Sequence, residues 1–224
     1  MSRTLRRIIL ILGAANLLTS ATIVSQQSSA KFESPDVLST SDIPYPPNTT
    51  VTGLVTLVLS LADTGHVQSV QVVRDTPPLT SAAQSSMQTW TFKAALANGK
   101  AVASQLPINV VFNPYNPGGT EITGLSITPP TSAGGDASFV PAQITSASYA
   151  LFPPDSLATG TVVLSLSISK TGQIQKVRLA KDVAALSPAA LAAAKSWKYA
   201  PATLNKQSIS SRLIVAFVFQ RNLS

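Results

Sequence analysis

The chain has 224 residues and no cysteine, so disulfides, iron–sulfur clusters and thiol nucleophiles are excluded. It has one histidine, His66, beside a predicted turn. A metal or a proton relay needs convergent partners, and none stands at ligand spacing from it; a surface turn residue is expected. Charge is sparse, at 11% of residues. Asp63, Asp75, Asp155 and Asp182 are scattered near turns rather than paired. No Gly-x-Ser-x-Gly occurs. Neither an enzyme nor a cofactor is expected. Aromatic residues make up only 6% and do not alternate with the Lys/Arg positions. Nucleic acid is therefore not the expected partner.

What charge there is lies unevenly. The net value is +7. Residues 31–113 are close to balanced, whereas residues 137–224 carry nine basic side chains against Asp155 and Asp182. The C-terminal part is suited to an acidic partner or a membrane surface; a solvated basic face reads equally from the same residues.

Arg3, Arg6 and Arg7 precede the apolar run Ile8 to Leu18, and small residues follow. This is the pattern of an export signal, with cleavage expected after Ala21 or Ala30. Extended to Val24, the run also reaches the lower length limit of a membrane anchor. Residues 1–24 are thus expected to be a signal peptide or an inner-membrane anchor, with the remainder periplasmic. Residues 25–44 read as a polar linker.

The rest of the chain says one thing twice. Tyr45-Pro46-Pro47, Gly53, Thr64-Gly65, Trp90 and Phe112 recur as Phe152-Pro153-Pro154, Gly160, Thr171-Gly172, Trp197 and Phe219, each 107 positions later. Residues 45–113 and 152–220 share 23 identities in 69 positions without a gap, where unrelated sequences share roughly four or five. An internal duplication of a small domain follows.

Each copy begins with an alternating strand. Val55, Leu57, Leu59 and Leu61 correspond to Val162, Leu164, Leu166 and Ile168, and a half-buried strand is expected. Asp63-Thr64-Gly65 and Lys170-Thr171-Gly172 read as hairpin turns, with a bulge just beyond. The return strands carry Val67, Val70 and Val72, or Ile174, Val177 and Leu179. A helix follows, with Thr80 or Ser187 in the N-cap position. Ala83, Met87 and Trp90, like Ala190, Ala194 and Trp197, would line its buried face. Both indoles are expected in the core. A last apolar strand closes each unit. The expected fold class is α+β: two tandem domains, 45–113 and 139–224, each a three-stranded antiparallel sheet with one packed helix. Residues 114–138, rich in Pro, Gly, Thr and Ser, read as a linker with one short strand near Ile122–Ile127.

The repeated unit resembles the TonB C-terminal domain. The pattern is carried by Tyr45-Pro46, Gly53-Leu54-Val55, Asp63-Thr64-Gly65-His66-Val67, Val70-Gln71-Val72 and Trp90-Thr91-Phe92-Lys93-Ala94-Ala95. Copy two carries Phe152-Pro153, Gly160-Thr161-Val162, Gly172-Gln173-Ile174 and Trp197-Lys198-Tyr199-Ala200-Pro201-Ala202. The resemblance implies a periplasmic energy transducer in transport across the outer membrane. Such a protein works beside the ExbB–ExbD motor and grips an outer-membrane receptor peptide, the TonB box, by β-strand addition. On that basis the closing strand, Arg212, Leu213, Ile214, Val215, Ala216, Phe217 and Val218, is expected to be a peptide-binding sheet edge, with Arg212 steering the incoming segment. Lys170, Lys176, Arg178 and Lys181 form a candidate basic patch. The chain departs from the family in three respects. The spacer Ser25 to Pro44 spans at most about 70 Å, the apolar segment lacks the anchor histidine, and the domains are tandem. A non-energised periplasmic scaffold, with the copies packed on each other as a pseudo-dimer, is the alternative.

Overall fold

A computed structural model describes residues 32–113, 120–125 and 139–220. The expected signal or anchor, residues 1–24, lies outside the described residues, as does most of the expected inter-copy linker. No helix among the described residues is long and apolar enough to cross a membrane.

Copy one runs β1 (Phe32–Glu33), β2 (Asp36–Ser39), β3 (Gly53–Leu61), β4 (Val67–Arg74), α1 (Leu79–Met87), β5 (Thr91–Lys93), β6 (Ala95–Ala97), β7 (Lys100–Val102) and β8 (Ser104–Asn113). Copy two repeats the order as β9 (Phe139–Val140), β10 (Gln143–Ser146), β11 (Gly160–Ile168), β12 (Ile174–Lys181), α2 (Ser187–Ser196), β13 (Lys198–Ala200), β14 (Ala202–Leu204), β15 (Gln207–Ile209) and β16 (Ser211–Phe219).

Within each copy the expected three antiparallel strands are present: β4-β3-β8 and β12-β11-β16. They do not form separate sheets. β16 pairs in parallel with β8, so the two triplets fuse into one six-stranded sheet, β12-β11-β16-β8-β3-β4. The sheet is larger than the three strands expected of each domain.

The register of this seam fixes the layering. Ile214 faces Ile108, 106 positions earlier, whereas the duplication repeats every 107. Equivalent side chains are therefore one residue out of step across the seam. Because side chains alternate with period two, a one-residue offset sends equivalent positions to opposite faces. Leu106, Ile108, Val110 and Phe112 pack in one core with α1, joined by Ile214, Ala216 and Val218 from copy two. Leu213, Val215, Phe217 and Phe219 pack in the other with α2, joined by Val111 and Leu54 from copy one. Each helix thus covers its own half of the sheet, on opposite sides.

The uncovered back of each half is closed by the segment preceding the other copy. The residues expected to be a linker before copy one form β1 and β2 where they are described. Val37 and Ile43 are buried there, and β2 pairs antiparallel with β5. This strap crosses the back of copy two: Ile43 N donates to Thr161 Oγ1 at 2.9 Å and Thr161 N to Asp42 Oδ1 at 2.9 Å. Residues 142–152 do the same for copy one. β10 pairs with β13, and Asn113 grips Ala150 at both its N–H (2.8 Å) and its carbonyl (3.1 Å). Consequently β3 and β11 are buried on both faces rather than one.

Local expectations are met with two adjustments, both at the helix ends. Register shifts beside the hairpins, between Ser60 and Leu61 and between Ser167 and Ile168, are the expected bulges. Trp90 and Trp197 are buried, but both lie beyond the helices expected to carry them, which end at Met87 and Ser196. Thr80 and Ser187 lie inside the first helical turn, not in the N-cap position. Their hydroxyls reach back instead, accepting from Thr76 N at 2.8 Å and Val183 N at 3.1 Å. Gly65 and Gly172 hold φ of 86° and 80° in the hairpins, and a Cβ at either would collide with the carbonyl of Phe92 or Tyr199. The turn is thereby pressed onto the strand that follows the helix.

Because each closing strand feeds both cores, the two copies should unfold together. Differential scanning calorimetry of the full chain is expected to give one transition. Phe217→Ala should lower it as a whole, by about 3–5 kcal/mol of stability, without splitting it in two.

Candidate functional site

The closing strand is not an edge. Arg212 to Val218 lies inside the sheet, bonded antiparallel to β11 along its whole length and parallel to β8 from Ile214 to Phe219. Leu213 to Val218 are buried, and Arg212 is half-buried. The free edge expected there is absent because the equivalent strand of the other copy already occupies it.

Arg178 and Lys181 of the expected patch, and Arg212 of the expected edge strand, are committed internally. Arg178 and Arg212 converge on Asp36 of the strap, at 2.8 and 2.7 Å, and Ser165 Oγ adds a hydrogen bond at 2.8 Å. The Asp36 side chain is 13% exposed, so the carboxylate is held by two guanidinium groups with little water. Arg178 also donates to the Val37 carbonyl at 2.7 Å. Arg212 therefore fastens the strap. Lys181 pairs with Asp42 at 3.0 Å. Burial works against ionisation of Asp42, but the Thr161 N–H and the Lys181 ammonium outweigh it and hold its pKa below the usual 3.8. Lys170 and Lys176 remain exposed and do not join this cluster.

The edges of the six-stranded sheet are β4 and β12, each bonded on one side only among the described residues. Beside β12 runs an open groove of about 800 Å³. Its wall is Gly172 to Val177, and Thr145, Lys195, Trp197, Lys198 and Tyr199 complete the lining. Tyr199 donates its hydroxyl to the Ala194 carbonyl at 2.7 Å, and burial raises its pKa, so it stays a neutral structural donor. Among the described residues no carboxylate lines the groove. Lys195 and Lys198 escaped the sequence reading because they belong to different elements, α2 and β13. Asp36 and Asp42 escaped it because their segment read as linker; its apolar residues Phe32, Val37, Leu38 and Ile43 follow no strand or helix period, and only Val37 and Ile43 are buried.

His66 is exposed, and no group of metal-ligating side chains occurs among the described residues.

A strand–strand–helix–strand unit, duplicated and closed by a long apolar strand, defines a tandem α+β module. The family model described as Gram-negative bacterial TonB protein C-terminal matches residues 48–114 and 156–220, and the chain belongs to this family, with two tandem copies. No curated protein and no solved structure matches the chain.

Removing the strap's anchor should be costly. Asp36→Ala leaves two half-buried guanidinium groups without their acceptor, and a loss of about 2–3 kcal/mol is expected in urea unfolding. The Asp42 effect is pH-dependent. A depressed folded-state pKa stabilises above the unfolded value of 3.8, and the gain disappears as pH falls through the folded value. The stability gap between wild type and Asp42→Asn should be fully present at neutral pH and close in acid; a gap that widens in acid would contradict this.

Proposed function

We propose that this protein is a non-energised periplasmic interaction module in which two TonB C-terminal units are fused edge to edge, and that it binds an extended peptide by adding it to an outer edge of the sheet. One observation carries this reading. The strand through which the family resemblance implies receptor binding is paired on both sides, and its equivalent in the other copy blocks it. Among the described residues, an incoming peptide meets unpaired backbone of the six-stranded sheet at β4 and β12, its two outer strands.

Binding at the closing strand, as a transducer in Ton-dependent transport would use it, requires the seam to open. That means breaking the six-residue parallel ladder and exposing side chains buried on both faces. Net backbone hydrogen bonds contribute only about 0.5–1.5 kcal/mol each. A new strand could replace the ladder but not the two shared cores. Strand addition at an open outer edge carries no such cost. An outer-membrane receptor segment remains the natural class of partner for this family, and the ExbB–ExbD motor is not needed for this mode of binding.

Hydrogen exchange of the full chain, with and without a receptor plug peptide, tests the reading. New protection should appear in 67–74 or 174–181, with 104–113 and 211–219 unchanged. Exchange of the seam on peptide addition would instead restore the transducer arrangement and refute the fused module.

A further inference from the structure

The two outer edges are not chemically equivalent, and the difference falls on the groove. Around β12 stand Lys170, Lys176, Lys195 and Lys198; at the duplicated positions copy one has Asp63, Ser69, Gln88 and Thr91. One copy has four lysines where the other has one acid and three neutral side chains. Among the described residues, Lys176, Lys195 and Lys198 make no ion pair, unlike Arg178, Lys181 and Arg212.

Lysines on a sheet edge often serve only to discourage pairing with other chains. That role accounts for Lys176, which sits on β12, but not for Lys195 and Lys198. Those two line the groove from the last turn of α2 and from the start of β13, together with the apolar Ile174, Val177 and Trp197. Val177 packs toward the α2 core. Its neighbour Lys176 therefore points to the opposite face. A strand laid against β12 alternates its side chains between those same two faces. One set would meet Lys195 and Lys198, and the other would meet Lys176.

We propose that the β12 edge of copy two is a docking site for an acidic extended peptide segment, bound as a seventh strand with its carboxylates alternately facing Lys195 and Lys198 on one side and Lys176 on the other. The site rests on the outer-edge reading given above and adds to it the copy, the edge and the charge of the partner. The apolar lining accepts aliphatic side chains between the acids, so the preferred segment mixes Asp or Glu with Val or Ile. Copy one, lacking the lysines, does not select acidic segments.

Fluorescence anisotropy of the full chain with a labelled Glu/Val-rich decapeptide tests the site, alongside a peptide with Gln in place of every Glu. The acidic peptide is expected to bind at least about tenfold more tightly, and to weaken as salt rises from about 0.05 M to about 0.3 M. Lys176→Glu/Lys195→Glu/Lys198→Glu should abolish that preference, and the corresponding triple Gln variant should reduce it. All three positions are exposed, and an unchanged melting midpoint checks that the variants fold. Equal binding of both peptides, an unaffected triple variant, or no binding of the acidic peptide would overturn the proposal. Exchange protection separates the failures. Protection at 174–181 with no charge preference sinks the acidic site but keeps outer-edge binding, whereas exchange changes at 211–219 sink both.

Discussion

Parallel pairing of β8 with β16 is the constraint on which the rest of this structure depends. Without it each copy is a three-stranded sheet with one face under a helix and the other bare, and about seventy residues can bury only a thin core. With it the sheet becomes continuous, and residues such as Val111 and Val163 gain a second core to pack into. The one-residue offset between seam and duplication then dictates that the helices take opposite faces. The bare backs are left for the straps. Opposite-face layering is what lets two copies of one unit share an edge without their helices colliding.

The straps make the fusion reciprocal. Each is tied to the strand after its own helix, β2 to β5 and β10 to β13, and lies across the other copy. Neither half can be lifted away without uncovering the back of its neighbour. Polar residues hold the straps down in different ways. On copy two a carboxylate reaches into a pair of guanidinium groups at Asp36. On copy one the Asn113 amide imitates a strand partner for Ala150. At the equivalents of Arg178 and Arg212 copy one has Gln71 and Gln105. The charged fastening of a strap through Asp36 therefore belongs to one half only, and Asp36 and Asp42 answer part of the excess positive charge of copy two within the chain.

Much of the fold was legible because it is local. The hairpins at Gly65 and Gly172, their bulges, the helices and the buried indoles all follow from short-range pattern and recur 107 residues apart. The seam was written in the sequence too, in a form easily misread. Leu213-Ile214-Val215-Ala216-Phe217-Val218-Phe219 contains no polar residue, and an uninterrupted apolar run is the mark of a strand buried on both faces, whereas an edge strand with one wet face alternates. The closing strand of copy one, with Asn109 at the seam and Pro107 just before it, blurs that signal. Asn109 is nonetheless buried, accepting from Thr56 Oγ1 at 3.0 Å. The first strap was not legible because Phe32, Val37, Leu38 and Ile43, spread among Ser, Pro and Asp, follow no strand or helix period that would distinguish an ordered segment from a spacer.

Duplication followed by fusion also changes where function can reside. In a single unit of this kind two strands are edges, and either can recruit a peptide. Fusion removes the closing strand from use and leaves the return strand, whose bulges and charged side chains otherwise protect it from unwanted pairing. The buried seam must be kept apolar by both copies, so divergence is confined to surfaces that the seam does not touch. The outer edges are such surfaces, and there the copies differ most in charge, with Asp63 against Lys170 and Ser69 against Lys176. A symmetric scaffold can thus present two unlike edges, one basic and one nearly neutral, at opposite ends of a single sheet. A partner choosing between them by charge would dock in one orientation only, which a pair of identical subunits could not enforce.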